Sequence, residues 1–123
     1  MSRESIVQLI KLKKELYQKQ HDAGLRKVAL EEKLAFTSIE EQANAEATLA
    51  MADAEESAVQ LEIKRAHQFG LRFAKSPFPS ICMPCFVGRG ESTTMNEVES
   101  KFGNGFRQFK CPMCNAQLSV APV

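Results

Sequence analysis

The four cysteines of this chain most constrain how it can fold. All lie in the last third of its 123 residues, as Cys82-Met-Pro-Cys85 and Cys111-Pro-Met-Cys114, and residues 86–110 separate the two pairs. A Cys-x-x-Cys turn places two sulfurs on one side of a tight backbone loop. Two such turns can enclose one metal ion in four thiolates. The gap exceeds the usual spacing of about 15–20 residues, so it has room for a hairpin.

The residues alone allow three other roles for these cysteines: a redox pair, two disulfides or an iron site. A thioredoxin-like redox pair belongs in a strand–helix setting, whereas Cys82 follows Ser76-Pro77-Phe78-Pro79 and a second pair matches it downstream. Two disulfides suit a secreted chain. Four thiolates can also bind iron. The doubled ligand spacing favours one structural Zn²⁺, and it predicts a full ligand set: Cys82, Cys85, Cys111 and Cys114.

Two knuckles joined by a hairpin resemble the zinc ribbon, and this resemblance covers about residues 78–121. It implies a small β unit that binds nucleic acid or protein. Strand-forming residues at 93–98 and 106–110 flank the Asn104-Gly105 pair, which is typical of hairpin turns. Residues 117–120 add a third strand. The interpretation is a three-stranded antiparallel sheet, with a flexible turn at residues 86–90.

The preceding residues predict helices, so the fold class is α+β. We expect residues 1–75 to form an antiparallel helical hairpin or coiled coil, and residues 76–123 to form the ribbon. The Pro-containing segment 76–79 sets this boundary, because Pro ends a helix. The first helix, from about residue 3 to 20, is indicated by apolar residues at helical spacing. They are Ile6, Leu9, Ile10, Leu16 and Tyr17.

Two interruptions divide the helical part. At residues 21–24 the sequence allows either a turn or one continuous helix. Of these, the sequence His21-Asp-Ala-Gly24 favours a break or kink. Ser38 and Glu41 form a capping-box pattern, which predicts a second helix from about residue 39 to 69. Its predicted packing seam consists of residues spaced alternately by four and three. They are Ala47, Met51, Ala54, Ala58 and Leu61.

Charge is sorted along the chain. Residues 1–33 carry a net +3, residues 34–63 a net −7 and residues 64–123 a net +5, which together give the overall +1. The amino-terminal residues lack the apolar core of a secretory signal, and no run approaches the length of a membrane span. With cysteines that look like metal ligands, these features predict a cytoplasmic protein with no membrane partner.

The sequence favours a regulatory or adaptor protein over an enzyme. A closed four-cysteine site has no open coordination position for water, and the chain has only two histidines. A helical coil followed by a four-cysteine module resembles in layout the DksA/TraR-type transcription regulators. That resemblance implies insertion of a coiled coil into RNA polymerase, a protein partner. The gap between the knuckles is longer than in that family, and no helix follows Cys114, so no functional residues are transferred.

Nucleic-acid binding by the ribbon is a second hypothesis. Its basic residues lie near three phenylalanines, Phe102, Phe106 and Phe109, that could stack on bases. The predicted contacts are Arg89, Lys101, Arg107 and Lys110. In the competing interpretation, the phenylalanines fill the small ribbon core and the cations offset the negative charge of the metal centre.

The charged helices suggest two further roles. The acidic second helix could imitate DNA in a basic groove, with Asp53, Glu55 and Glu56 as contacts. A homodimer seam through the helical region is the simpler expectation for that helix.

Overall fold

The computed structural model describes residues 1–103 and 105–122. Two long helices come first, α1 (Arg3–Ala35) and α2 (Gln42–Phe73), followed by a short helix, α3 (Met83–Arg89). Three strands complete the chain: β1 (Asn96–Val98), β2 (Arg107–Lys110) and β3 (Gln117–Val120). The long helices pack against each other, so the predicted α+β class is confirmed. Among the described residues, no helix has both the length and the apolarity to cross a membrane.

The predicted break at residues 21–24 is wrong. α1 continues without interruption through Gly24, and Ala23 is buried on its inner face. An interior glycine costs a helix only about 1 kcal/mol relative to alanine, and the packing of α1 on α2 outweighs that cost. The helix therefore ends only at Ala35, one residue before Phe36-Thr37-Ser38.

The predicted bounds of the second helix are also corrected at both ends. α2 begins at Gln42, and residues 39–41 form a turn in which the Glu41 N–H donates to the Ser38 carbonyl at 3.1 Å. Backbone turn bonds thus replace the predicted capping box. At the other end, α2 continues through Gly70 to Phe73. The glycine therefore does not end the helix.

The predicted seam of α2 lies on the wrong face. Ala47, Met51, Ala54, Ala58 and Leu61 are all exposed. Most of the buried and half-buried residues of α2 repeat with the same four- and three-residue steps, two positions away. They are Ala45, Leu49, Ala52, Glu56, Val59, Ile63, Ala66, Gly70 and Phe73, and Phe69, Glu62 and Arg65 beside them are also buried or half-buried. The predicted spacing of the seam residues was correct, but the predicted residues lie on the wrong face of α2. The sequence did not distinguish the faces because alanines occur on both of them.

The chain forms two compact units. Residues 14–63, the hairpin unit, contain the central parts of both long helices and the loop that joins them. In this unit Lys27 bridges to Asp53 at 2.7 Å and to Glu56 at 3.6 Å, and Arg26 bridges to Glu55 at 3.3 Å. Residues 1–13 and 64–123, the ribbon unit, contain the outer helix ends and the cysteine-rich part. The boundary between residues 75 and 76 stays a prediction.

The three-stranded antiparallel sheet of the ribbon unit is confirmed. β2 is the central strand, with Glu97 opposite Phe109 on one side and Leu118 opposite Phe109 on the other. Gly103 and Gly105 both have positive φ, and the Phe106 N–H donates to the Gly103 carbonyl at 3.0 Å. A turn therefore leads into β2. The prediction for Asn104 lies outside the described residues.

The flexible turn predicted at residues 86–90 is wrong, because α3 covers most of it. Met83 and Pro84 open this short helix, where a missing proline N–H costs nothing. Gly90 ends it in the left-handed conformation, with φ +69°, and its N–H donates to the Phe86 carbonyl at 2.9 Å. The first knuckle is thus the beginning of a helix rather than of a loop.

Candidate metal centre

The first knuckle is held by backbone hydrogen bonds on both sides of Cys82. The Cys82 N–H donates to the Thr93 carbonyl at 2.8 Å, and its own carbonyl accepts from Phe86 N–H at 3.1 Å. Cys85 lies in the first turn of α3, and its carbonyl accepts from the Glu91 N–H at 3.2 Å. Both sulfur-bearing residues are buried. These bonds fix the two sulfurs on the same side of the chain.

The second knuckle follows β2 directly. The Cys111 N–H donates to the Ala116 carbonyl at 2.9 Å, and the Asn115 N–H donates to the Cys111 carbonyl at 3.0 Å. Asn115 has φ 61°, a left-handed conformation that asparagine tolerates better than most residues. The chain thereby reverses into β3. Cys111 is fully buried, whereas Cys114 is exposed at the edge of the site.

The four sulfurs form one cluster. All lie within 4.8 Å of one another, with Cys82 Sγ 3.4 Å from Cys114 Sγ and Cys85 Sγ 3.7 Å from Cys111 Sγ. A tetrahedral zinc with Zn–S bonds of about 2.3 Å would place its sulfurs about 3.8 Å apart. The arrangement therefore fits a metal ion at its centre, and the prediction that these cysteines could bind a metal is confirmed at that level.

The pKa values of Cys82, Cys111 and Cys114 also indicate that a cation is needed to keep the four thiols ionised. Burial raises the pKa of the Cys82 thiol far above its usual range, and it raises the pKa of Cys114. Burial opposes ionisation of Cys111 too, but backbone N–H groups of Cys114 and Met113 lower the pKa of that thiol to about 6. Four adjacent thiolates repel one another, so a divalent ion is needed to keep all four ionised together.

Two arginines support the first knuckle: Arg89, one of the cations that the competing interpretation placed near the metal centre, and Arg65, which the sequence did not assign to the site. Arg89 Nη2 donates to Cys85 Sγ at 2.9 Å, and this bond raises the pKa of the guanidinium. Arg65, on α2, donates through Nη1 to the Val87 and Gly88 carbonyls at 3.4 Å each. Arg65 thus binds the carboxyl end of α3, where unpaired carbonyls favour a cation.

A prediction that residues 83–89 form a helix would have revealed the contact of Arg89 with Cys85, because the two residues are one helical turn apart. No local signal reveals the contact of Arg65 with Val87, since Arg65 precedes Val87 by 22 residues.

The four residues predicted to contact nucleic acid lie in different settings, and their role in binding stays a prediction. Arg107 is bound by Glu97 through two hydrogen bonds of 2.7 and 2.6 Å, and its guanidinium lies 3.8 Å from the ring centre of Phe78. These bonds lower the pKa of Glu97.

Arg89 is engaged at Cys85, as described above. Lys110 is half-buried on β2 and, three residues from Arg107, points to the opposite face of the sheet. Lys101 is exposed in the loop before β2.

The three phenylalanines near these cations have different environments. Phe109 is in the ribbon core with Met95, Val120 and three of the cysteines. Phe102 and Phe106 are exposed, and their ring centres lie 5.8 Å apart. A separate aromatic cluster of Phe69, Phe73 and Phe86 packs α2 on α3, with ring centres 4.8 to 5.9 Å apart. Most of the ring area in this unit therefore serves packing.

Comparison with models of known families, with curated protein sequences and with solved structures gives no match. The resemblances to zinc ribbons and to DksA/TraR-type regulators therefore stay predictions. What the structure itself establishes is a four-cysteine cluster with metal-site dimensions beside a small sheet.

Proposed function

We propose that this protein is a non-enzymatic zinc-binding adaptor that docks its helical hairpin on a larger protein assembly. The observation that carries the docking proposal is the exposure of two large apolar side chains in the loop between α1 and α2. Phe36 is 91% exposed and Ile39 is 90% exposed. We call these two residues the tip surface. Burying such side chains in a partner would contribute about 1.5–3 kcal/mol each.

The charges around the tip surface indicate the kind of partner. Glu31 and Glu32 precede Phe36, and Glu40 and Glu41 follow Ile39, whereas Lys33 is the one basic residue between positions 28 and 46. A protein cleft with an apolar floor and a basic rim complements this surface. The layout resemblance to DksA/TraR-type regulators makes RNA polymerase the first assembly to test.

Zinc is the metal that best suits the cluster. Four thiolates around one centre are typical of structural zinc sites, which are closed and bind no substrate water. This absence of an open coordination position supports a non-enzymatic role. Among the described residues, three of the five largest fully buried side chains are the cysteines Cys82, Cys85 and Cys111, so the ion would replace much of the missing apolar core.

The docking proposal is tested with purified core RNA polymerase and the zinc-loaded protein, by measuring binding on an immobilised polymerase. We expect Phe36→Gln/Ile39→Gln to weaken binding at least about 30-fold, equivalent to about 2 kcal/mol. The matched control is Leu25→Gln/Val28→Gln, which removes two exposed apolar side chains from α1 and should leave binding nearly unchanged. Absent binding, or equal losses in both variants, would overturn the proposal.

The zinc proposal has a separate measurement, so the two can fail independently. Elemental analysis of protein prepared under reducing conditions should give one equivalent of zinc, and Cys111→Ser should reduce it sharply. Less than about half an equivalent of bound metal, or iron in its place, would refute zinc as the ion.

A further inference from the structure

Positive charge is concentrated in the ribbon unit. Residues 1–13 and 64–123 contain eleven lysines and arginines against four glutamates, a net +7. The hairpin unit, residues 14–63, contains five basic against eleven acidic residues, a net −6. Charge mixed along helix faces would serve stability and solubility equally well. Sorting by structural unit therefore points to a charged partner.

Three arginines of the ribbon unit already have partners within it. Arg107 is bound by Glu97, Arg89 by Cys85 and Arg65 by the end of α3. Among the described residues, no ion pair involves Lys64, Arg72 or Lys75. All three are exposed. Arg72 also lies 5.6 Å from the ring centre of Phe73. The exposed charge of all three residues is therefore accessible to a partner.

The three cations and Gln68 form one row, which we call the basic row. Lys64, Gln68 and Arg72 follow one another at four-residue steps on the exposed side of α2, and Lys75 lies just beyond the end of that helix. Lys64 and Arg72 are about 12 Å apart along the helix axis at 1.5 Å per residue. Duplex DNA carries one phosphate charge per about 1.7 Å of axis, so a row of this length faces several phosphates.

The helix dipole does not account for this row. Cations are favoured within the last turn of a helix, which covers Arg72 but not Lys64. The sign change is abrupt, because Glu62 is the last acidic residue of α2 and every charged residue from Lys64 to Lys75 is basic.

We infer that the basic row is a sequence-independent binding surface for the phosphate backbone of nucleic acid. The row has hydrogen-bond donors for phosphate oxygens in Lys64, Arg72 and Lys75, and Gln68 adds an amide donor. Gln68, Arg72, Leu71 and Phe86 also line a shallow surface depression that could receive a sugar. A membrane surface fits less well, because Leu71 is the one large apolar side chain exposed along the row, and interfacial helices need a broad apolar face.

The test measures fluorescence anisotropy of a labelled 20-base-pair duplex DNA with the zinc-loaded protein. With three phosphate contacts, the logarithm of the affinity should fall with that of salt concentration at a slope of about −2.7. Binding should thus weaken about 40-fold between 50 and 200 mM salt. The variant Lys64→Gln/Arg72→Gln/Lys75→Gln should lose at least about tenfold at 50 mM salt and most of the salt dependence.

Two control variants locate the surface. Lys11→Gln/Lys14→Gln/Lys19→Gln removes the same net charge from exposed positions of α1, and Lys101→Gln/Lys110→Gln alters the ribbon. Both should retain DNA binding within about threefold. Unchanged binding by the basic-row variant, or an equal loss in either control, would overturn the inference. So would binding to phosphatidylserine vesicles or polyglutamate that is as tight as binding to DNA and equally sensitive to the basic-row variant.

Discussion

Gly90 lies where Arg65 of α2 approaches the end of α3. Its φ of +69° lies in the left-handed region, and a Cβ added there would lie 3.2–3.3 Å from three atoms of the Arg65 guanidinium. Arg65 in turn binds the carbonyls at the end of α3. A side chain at position 90 would therefore strain the turn and displace the arginine that supports the knuckle.

Gly90→Ala should destabilise the protein by about 1–2 kcal/mol, the usual cost of a left-handed conformation for a residue with a Cβ. Gly88→Ala is the matched control, because Gly88 is within α3, lacks a positive φ and has open space around it. It should be neutral or stabilising by up to about 1 kcal/mol. Urea denaturation compares the two variants, and equal effects would contradict the role assigned to Gly90.

At the residue scale, local spacing predicted the cysteine cluster and could not predict its supporting contacts. Two residues lie between the cysteines of each pair, so the chemistry of the cluster can be read from the chain itself. The position of Arg65 depends on how α2 lies against α3, which no short pattern encodes. Arg107 shows what charge alone does not reveal: Glu97 and Phe78 contact its guanidinium, and its contact with nucleic acid stays a prediction.

At the scale of elements, the spacing of the apolar residues of a helix was easier to predict than its buried face or its end residues. Seven alanines between residues 43 and 58 give α2 its helical propensity, and they occur on every side of it. The correct seam is marked by only a few larger residues, such as Leu49, Val59 and Ile63. The strands were predicted well because short β-forming runs alternate with clear turn residues.

Gly24→Ala tests the continuity of α1. Apart from its chain neighbours and the backbone of its own helix, no atom lies within 4 Å of a Cβ at Gly24, and the residue is interior to the helix. The substitution should therefore stabilise the protein by about 1 kcal/mol, which thermal unfolding would detect.

Gly70→Ala serves as the comparison for α2. Leu9 Cδ2 lies 3.1 Å from the added Cβ, so the gain there should be smaller or absent. Destabilisation by Gly24→Ala would instead indicate a break in α1.

At the scale of the whole molecule, the two units depend on different interactions. The ribbon core consists of Cys82, Cys85, Met95, Phe109, Cys111 and Val120, so half of its members are candidate metal ligands. So small an apolar core cannot stabilise a sheet alone. The hairpin unit contains none of the cysteines and relies on the packing of α1 and α2.

If the four cysteines hold the proposed metal ion, its removal by a chelator should unfold the sheet selectively. Hydrogen exchange followed by mass spectrometry should show loss of amide protection in β2 and β3 after treatment with a strong zinc chelator. Protection in residues 14–35 of α1 should persist. If β2 and β3 stay protected after the metal is removed, the ion is not what stabilises the ribbon.

Over evolutionary time, the alanines on the inner faces of α1 and α2 restrict how this chain can diverge. Ala23, Ala52 and Ala66 are buried, and none has a flexible side chain that could give way to a larger neighbour. A bulkier residue at one of them would have to be matched by a smaller one on the facing helix. The exposed alanines of α2 can be replaced by larger residues without a compensating change on the facing helix. Related chains should therefore differ most on the outside of the hairpin and keep the distance between its helices.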